Sequence, residues 1–187
     1  MANLKLKNPS GGSLNFVSAD GASDLTVTFP AVTGTAMVSG NMPAFHAYLA
    51  TNQTISHNTT TIIQYITEQF DTASCFDTST YRFTPNVAGY YCLTAYTTTV
   101  GTANRAYSII PQIRKNGSAI VGGEQTVPAG SPNDHYVITP TTIVYANGTT
   151  DYFDVVQYVY DYTASSTTVL SGGATFNQFT GVLVRAA

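Results

Sequence analysis

Apolar residues along this chain alternate with polar ones in short runs, and turn residues cut the runs apart. Near the N-terminus Leu4 and Leu6 alternate with Lys5 and Lys7, the period of two that marks a strand with two unlike faces. Pro9-Ser10-Gly11-Gly12 ends that run, and Leu14 and Phe16 begin another. Leu25, Val27 and Phe29 then alternate with Thr26 and Thr28 until Pro30 stops them. From Pro43 onward denser runs predict strands over Phe45–Leu49, Thr61–Ile66, Tyr90–Thr98, Tyr107–Arg114, His135–Tyr145, Tyr152–Tyr162 and Phe176–Arg185. Shorter pieces fall at Tyr81–Phe83 and Ala119–Gly122. Pro85-Asn86, Asn116-Gly117, Pro128–Asn133 and Asn147-Gly148 supply the turns between them. No helical apolar stripe lasts beyond a turn or two. Many short strands with evenly spaced turns predict an all-β sandwich or jelly roll. Residues 1–42 hold too few strands to close a core of their own, so they are expected to form a short N-terminal β arm that packs elsewhere, with residues 43–187 as the head.

The run from Asp151 to Tyr162 carries more apolar surface than one sheet face needs. One side presents Tyr152, Asp154, Val156, Tyr158, Tyr160 and Tyr162, and the other presents Phe153, Val155, Gln157, Val159 and Asp161. A sandwich strand ordinarily keeps one face wet. A tyrosine face suits a subunit contact, where the ring packs and the hydroxyl reaches a partner. Tyr152, Tyr158, Tyr160 and Tyr162 are therefore expected at an interface between copies of the chain.

Composition narrows the partners. Charged residues make up 9% of the 187 residues and hydrophobic ones 43%; a typical soluble domain is about 25% charged. The net charge of −3 leaves no broad basic surface, so nucleic acid is not an expected partner. No apolar run approaches the roughly 20 residues that span a bilayer. Met1–Lys7 has charge but no apolar core, so no secretory leader is expected and the chain should be made and assembled in a cytosol. The Asn-x-Ser/Thr triplets at Asn52, Asn58, Asn116 and Asn147 then read as turn and strand residues. Cys75 and Cys92 lack metal-ligand spacing and are expected as two buried free thiols, with a bridge as the alternative.

Candidate chemistry is thin. The three histidines, His46, His57 and His135, sit in no triad, nucleophile-elbow or H-E-x-x-H pattern. A glycosidase needs two carboxylates facing each other across a sugar, whereas Asp151 and Asp161 alternate in facing with Asp154. No EF-hand-like loop is present, so neither a metal nor any other cofactor is assigned. Asp77, Asn86, Asp134 and Asn147 are expected to shape turns. No enzyme activity is expected.

Phe70-Asp71, followed by Phe76-Asp77-Thr78-Ser79-Thr80-Tyr81-Arg82-Phe83-Thr84-Pro85-Asn86-Val87-Ala88-Gly89-Tyr90-Tyr91, resembles the signature of complement-type globular heads, the complement and tumour necrosis factor (TNF) superfamily. Ala44-Phe45-His46-Ala47, Lys115-Asn116-Gly117 and Phe179-Thr180-Gly181-Val182-Leu183-Val184 resemble its opening strand, a central turn and its closing strand. The family pattern has a Gly where Tyr81 stands, and no collagen stalk is present. The resemblance implies a ten-stranded jelly roll that forms a tight homotrimer around an aromatic axis. It adds Phe45, Tyr91 and Phe179 to the four tyrosines as expected trimer contacts. Some such heads bind calcium through loop or axial oxygens.

The arm has a resemblance of its own. Pro9-Ser10-Gly11-Gly12-Ser13 and Leu25-Thr26-Val27-Thr28-Phe29-Pro30-Ala31-Val32-Thr33-Gly34-Thr35 are similar to segments of tailed-bacteriophage virion proteins. Together the two resemblances imply a non-enzymatic phage structural protein. Its expected role is a homotrimeric capsid decoration or cement protein on the virion surface, assembled in the host cytoplasm. Leu4, Lys5, Leu6, Lys7, Leu25, Val27 and Phe29 would attach it to the major capsid protein lattice by adding strands to exposed edges. The alternative is a short tail fibre or fibre tip, seated on a tail protein, whose loops Pro128–Asn133 and Thr163–Gly173 touch a host receptor or glycan.

Overall fold

The computed structural model describes residues 3–7, 9–17, 42–100, 107–128, 135–162, 167–169 and 175–187. The chain forms two compact units, Met1–Gly34 and Thr35–Ala187. In the first, β1 (Asn3–Lys7) pairs antiparallel with β2 (Ser13–Val17), with Leu4 opposite Phe16 and Leu6 opposite Leu14. Like sits opposite like, so the period of two in the sequence sets the register. Gly11, at φ +95°, turns the chain between them.

The second unit is built from two antiparallel sheets. Its first strands are β3 (Ala44–Tyr48), β4 (Gln53–Ile55), β5 (Thr59–Ile62), β6 (Thr67–Asp71), β7 (Phe76–Asp77), β8 (Arg82–Phe83) and β9 (Gly89–Val100). They are followed by β10 (Tyr107–Lys115), β11 (Ser118–Gly122), β12 (Gln125–Val127), β13 (His135–Ile138) and β14 (Thr141–Ala146). The last are β15 (Phe153–Asp161), β16 (Thr167–Val169) and β17 (Gln178–Ala186). One sheet runs β11-β10-β15-β8-β7, with β12 also on β10 and β5 also on β15. The other runs β4-β16-β9-β17-β3-β6, with β13 and β14 both on β9. No helix occurs among the described residues.

Two prolines divide longer strand runs. The expected strand His135–Tyr145 stops at Pro140, which has no N–H for the ladder, although its carbonyl still accepts from Ala95 N at 3.0 Å. Pro111, inside β10, has the same effect on its neighbour: β11 and β12 part opposite it, where Gly123 N donates to the Pro111 carbonyl at 3.2 Å. The short strands β4, β6, β7, β12 and β16 were not legible as runs, because β4, β12 and β16 carry two polar residues in three, β6 four in five, and β7 is two residues long.

The core lies between the sheets. Phe45 stacks on Phe83 at 4.3 Å and on Phe76 at 5.1 Å, and meets Phe179 edge-on at 5.0 Å. Each fully buried Phe is worth about 1.5–3 kcal/mol. Gly181 makes room for this cluster, since a Cβ there would stand 2.5 Å from the Phe45 ring. Tyr91 is buried against Phe83, and its hydroxyl donates to the Val87 carbonyl at 2.7 Å.

The polar residues of the signature hold turns. Asp71 accepts from Ala73 N and Phe76 N, at 3.1 and 2.7 Å, and closes the β6–β7 connection. Asp77 accepts from Ser79 N, Ser79 Oγ and Thr80 Oγ1, and these bonds hold its carboxyl down at about 2. Tyr81 then has φ +60°, a left-handed conformation that explains why a glycine suits this position. Asn116 and Gly117, both at positive φ, form the tight β10–β11 turn.

Candidate functional site

The outer face of the second sheet carries several exposed apolar side chains. Its strands place residues side by side in rows, and one row runs Ile143, Cys92, Val182, Ala44 across β14, β9, β17 and β3. A second runs Thr141, Thr94, Thr180, His46, Phe70 across five strands, and a third joins Tyr145, Tyr90 and Arg185. Ile143 is 64% exposed, Val184 55% and Phe70 47%, and Tyr90, Tyr145 and Val182 are also exposed. Tyr90 and Tyr145 meet edge to face at 5.6 Å. A cavity of about 310 Å³ opens on this face, lined by Ala44, Phe70, Cys92, Thr94, Thr180 and Val182 among others.

Charge is scarce on this face. His46 packs edge-on against Tyr48 and Phe70, its Nε2 is enclosed without a partner, and burial lowers its pKa. Glu68, on β6, is pushed upward by burial and then by the charges of Asp71 and Asp77. Arg185 stands at the margin opposite Tyr90.

The expected interface residues divide differently. Phe45, Tyr91 and Phe179 are fully buried in the core of the single chain. Their place in the alternation turns them inward, which the resemblance alone did not settle. Tyr152, Tyr158, Tyr160 and Tyr162 belong to β15 and its flanks, on the other sheet. Their face is partly covered by the chain itself: Val156 is buried, and Asp154 is fully buried beneath Arg114, whose Nε and Nη2 donate to it at 2.7 and 2.8 Å. Arg82 stands 3.9 Å from Asp154 and stacks over the half-buried Tyr152 ring at 4.0 Å. Only Tyr160 and Tyr162 are well exposed there.

Of the expected attachment residues, Leu4, Lys5, Leu6 and Lys7 lie on β1, with Leu6 and Lys7 exposed. Leu25, Val27 and Phe29 lie outside the described residues, as do 129–133, 163–166 and 170–173 of the two loops.

The titratable groups are scattered. His57 Nδ1 accepts from Asp161 N at 3.0 Å, and His135 lies against Phe176. Asp151 is raised by burial, but bonds from Lys115, Asn116 and Asn147 outweigh that and lower it. This cluster ties the β10–β11 turn to the β14–β15 turn, with Lys115 Nζ 2.8 Å from the carboxylate. Among the described residues no group of three or more His, Cys, Asp or Glu is placed to hold a metal. Cys75 and Cys92 are both free; Cys75 is buried, its thiol pushed up by that burial, and Cys92 sits half-buried in the cavity wall.

Sequence reasoning passed over Ile143, Tyr145, Tyr90, Val182 and Val184. The signal was present in Val182-Leu183-Val184, an unbroken apolar triplet that puts side chains on both faces of one strand.

Neither a protein-family model nor a curated protein sequence matches the chain. Solved structures match it in fold. Eiger TNF from S. frugiperda superposes with a TM-score of 0.57 at 10% identity, over 78% of this chain and 93% of that one. The globular domain of the zebrafish complement 1qA protein does so with a TM-score of 0.51 at 13% identity, over 78% of this chain and 98% of that one. The head is thus a TNF- and complement-like jelly roll, the fold that the strand pattern and the signature predicted.

Proposed function

We propose that this jelly roll is a non-enzymatic, self-associating structural protein, a homotrimer closed through the outer face of its second sheet. The observation that carries the reading is the row Ile143, Cys92, Val182, Ala44, with the cavity beside it and Phe70 and Tyr90 at its flanks. One such face per chain calls for a partner, and closed symmetry satisfies every copy at once. The near absence of charge on it favours apolar contact, with little to desolvate.

Within that reading the trimer decorates a bacteriophage capsid, with the N-terminal segment binding the major capsid protein. The support is in the sequence: the Leu/Lys alternation of β1 and the likeness of residues 9–13 and 25–35 to tailed-phage virion segments. Three arms on one trimer would multiply weak contacts into stable attachment.

Light scattering tests the first step. A trimer has three times 19.9 kDa, and a stable monomer at micromolar concentration would refute it. Cys92 reports the same event chemically, since it should react with a thiol reagent in a dissociated chain and be shielded in the assembly. Removal of residues 1–42 should leave a trimeric head that no longer binds the particle. Imaging of the intact particle separates the two locations, because a capsid protein covers the shell and a tail fibre does not. The exposed Tyr160 and Tyr162 favour a second, compatible reading in which the head also binds a ligand.

A further inference from the structure

The two sheets expose different chemistry. The face offered for self-association is aliphatic at its centre. At its Tyr160–Tyr162 end the outer face of β15 instead exposes phenol rings, with Arg114 and Arg82 at the other end, over Asp154 and Tyr152. Tyr160 and Tyr162, 43% and 62% exposed, meet edge to face with ring centroids 5.2 Å apart, and His57 lies 5.2 Å from the Tyr160 ring at a tilt of 50°.

The rings rest on a built support. Asn58, at φ +53°, turns the chain so that its own N donates to the Val159 carbonyl at 2.8 Å, and its Oδ1 accepts from the Tyr158 hydroxyl at 2.7 Å. Asp161 N donates to His57 Nδ1 at 3.0 Å, which fixes the imidazole and leaves Nε2 as its other hydrogen-bonding atom. Both anchors come from one short turn, and both grip the strand that carries the tyrosines.

Among the described residues no charge stands opposite Tyr158 or Tyr160. Across the sheet Tyr160 faces Ser108 on β10, and Tyr158 faces Ile110 on β10 and Thr60 on β5. Thr126 continues the Ser108 row, its hydroxyl 3.5 Å from that of Ser108. A polyanion or a basic peptide would find no counter-charge at these positions. A pyranose ring fits this chemistry: its C–H face lies on a phenol, and its hydroxyls reach side-chain amides and hydroxyls.

We infer that the Tyr160–Tyr162 platform, with His57 and Asn58, binds a neutral carbohydrate. A second protein chain is a poorer occupant, because the row of Tyr160 holds Ser108 and Thr126, and the aliphatic residue opposite Tyr158, Ile110, is half-buried. The site needs no partner chain to complete it. It rests on the trimer reading only for its avidity, since three platforms on one assembly strengthen binding to a repeating polysaccharide.

The experiment is glycan binding by the full chain on an array of immobilised neutral and anionic glycans. Affinity electrophoresis in gels containing dextran, mannan or heparin follows it. The expected result is capture by at least one neutral glycan and no preference for heparin. The pair Tyr160→Ala/Tyr162→Ala should weaken that binding by about tenfold or more. Tyr160→Phe/Tyr162→Phe, which keeps the rings, should retain most of it. Light scattering on each variant should give the mass of the parent chain. Silence across all neutral glycans, a preference for heparin, or parental binding by the alanine pair would overturn the proposal. A changed mass in the alanine pair would also overturn it and make these tyrosines a subunit contact. A parent chain that is monomeric yet binds the glycan would sink the trimer reading and leave the platform standing.

Discussion

Val182→Asp is the most direct test of self-association. Val182 stands on β17 between Cys92 and Ala44, near the middle of the outer-face row, and is 45% exposed in the single chain. Full burial of such a side chain is worth about 1.5–3 kcal/mol; roughly half is already realised in the lone chain, so about 1 kcal/mol is lost with the isopropyl group. The carboxylate adds more. Its neighbours in the row offer no cation, and Arg185 belongs to the next row, opposite Tyr90. An ion stranded in an apolar contact costs about 3–5 kcal/mol, which raises the dissociation constant at each contact at least about a hundredfold. The lone fold should pay much less, within about 1 kcal/mol, since the position faces outward and strand propensities span only that range. Light scattering over a concentration series, alongside thermal melting, separates the two effects. The expected result is a folded monomer. Val182→Thr, which adds a hydroxyl but no charge, should weaken the assembly far less. A Val182→Asp protein that remains trimeric at low micromolar concentration would refute the argument, and the outer face would not be the contact.

Asp154→Ala should destabilise the head by about 3–5 kcal/mol in urea unfolding, because it leaves the Arg114 guanidinium without the fully buried carboxylate it grips through two bonds. A loss below 1 kcal/mol would mean the pair is structurally idle. Tyr81→Gly should be neutral or stabilising by up to about 1 kcal/mol, since it relieves a left-handed residue at φ +60° and gives back part of the gain as chain entropy; a drop in melting temperature would contradict this. Stability should fall in acid for a definite reason. Asp77 is held at about 2 by Ser79 and Thr80, and Asp151 is lowered although burial opposes it. A carboxylate lowered in the folded state favours folding above its ordinary range, so the benefit disappears as pH falls from about 4 towards about 2. Asp77→Asn should flatten that part of the stability curve measured by urea unfolding at stepped pH.

The sandwich was legible because alternation is local. Phe45, Ala47 and Leu49 share one parity, as do Tyr91, Leu93 and Ala95, and all six are buried. Facing at longer range was not. The Tyr152–Tyr162 run shows apolar residues on both sides, but nothing in it says which side the chain covers. Its cover comes from 40 residues away for Asp154, through Arg114, and from Ile62, which stands opposite Val156. The signature residues were legible as a pattern but not as roles: Asp71 and Asp77 shape turns, and Phe45 and Phe179 fill the interior. This face was missed because it is assembled from β14, β9, β17 and β6, each of which contributes only one or two exposed apolar residues to it, with β3 adding half-buried ones.

The two proline interruptions govern how this protein can multiply. β11 and β12 line one sheet margin and part opposite Pro111; β13 and β14 pair with β9 alone and stop at Pro140. A foreign strand approaching either margin meets at most five or six residues in line before the ladder halts. Unbroken margins invite endless lengthwise stacking of sheets, and short, bent ones discourage it. Growth by margin-to-margin addition is thereby discouraged, whereas the proposed association through the flat of the sheet would hold a finite number of copies.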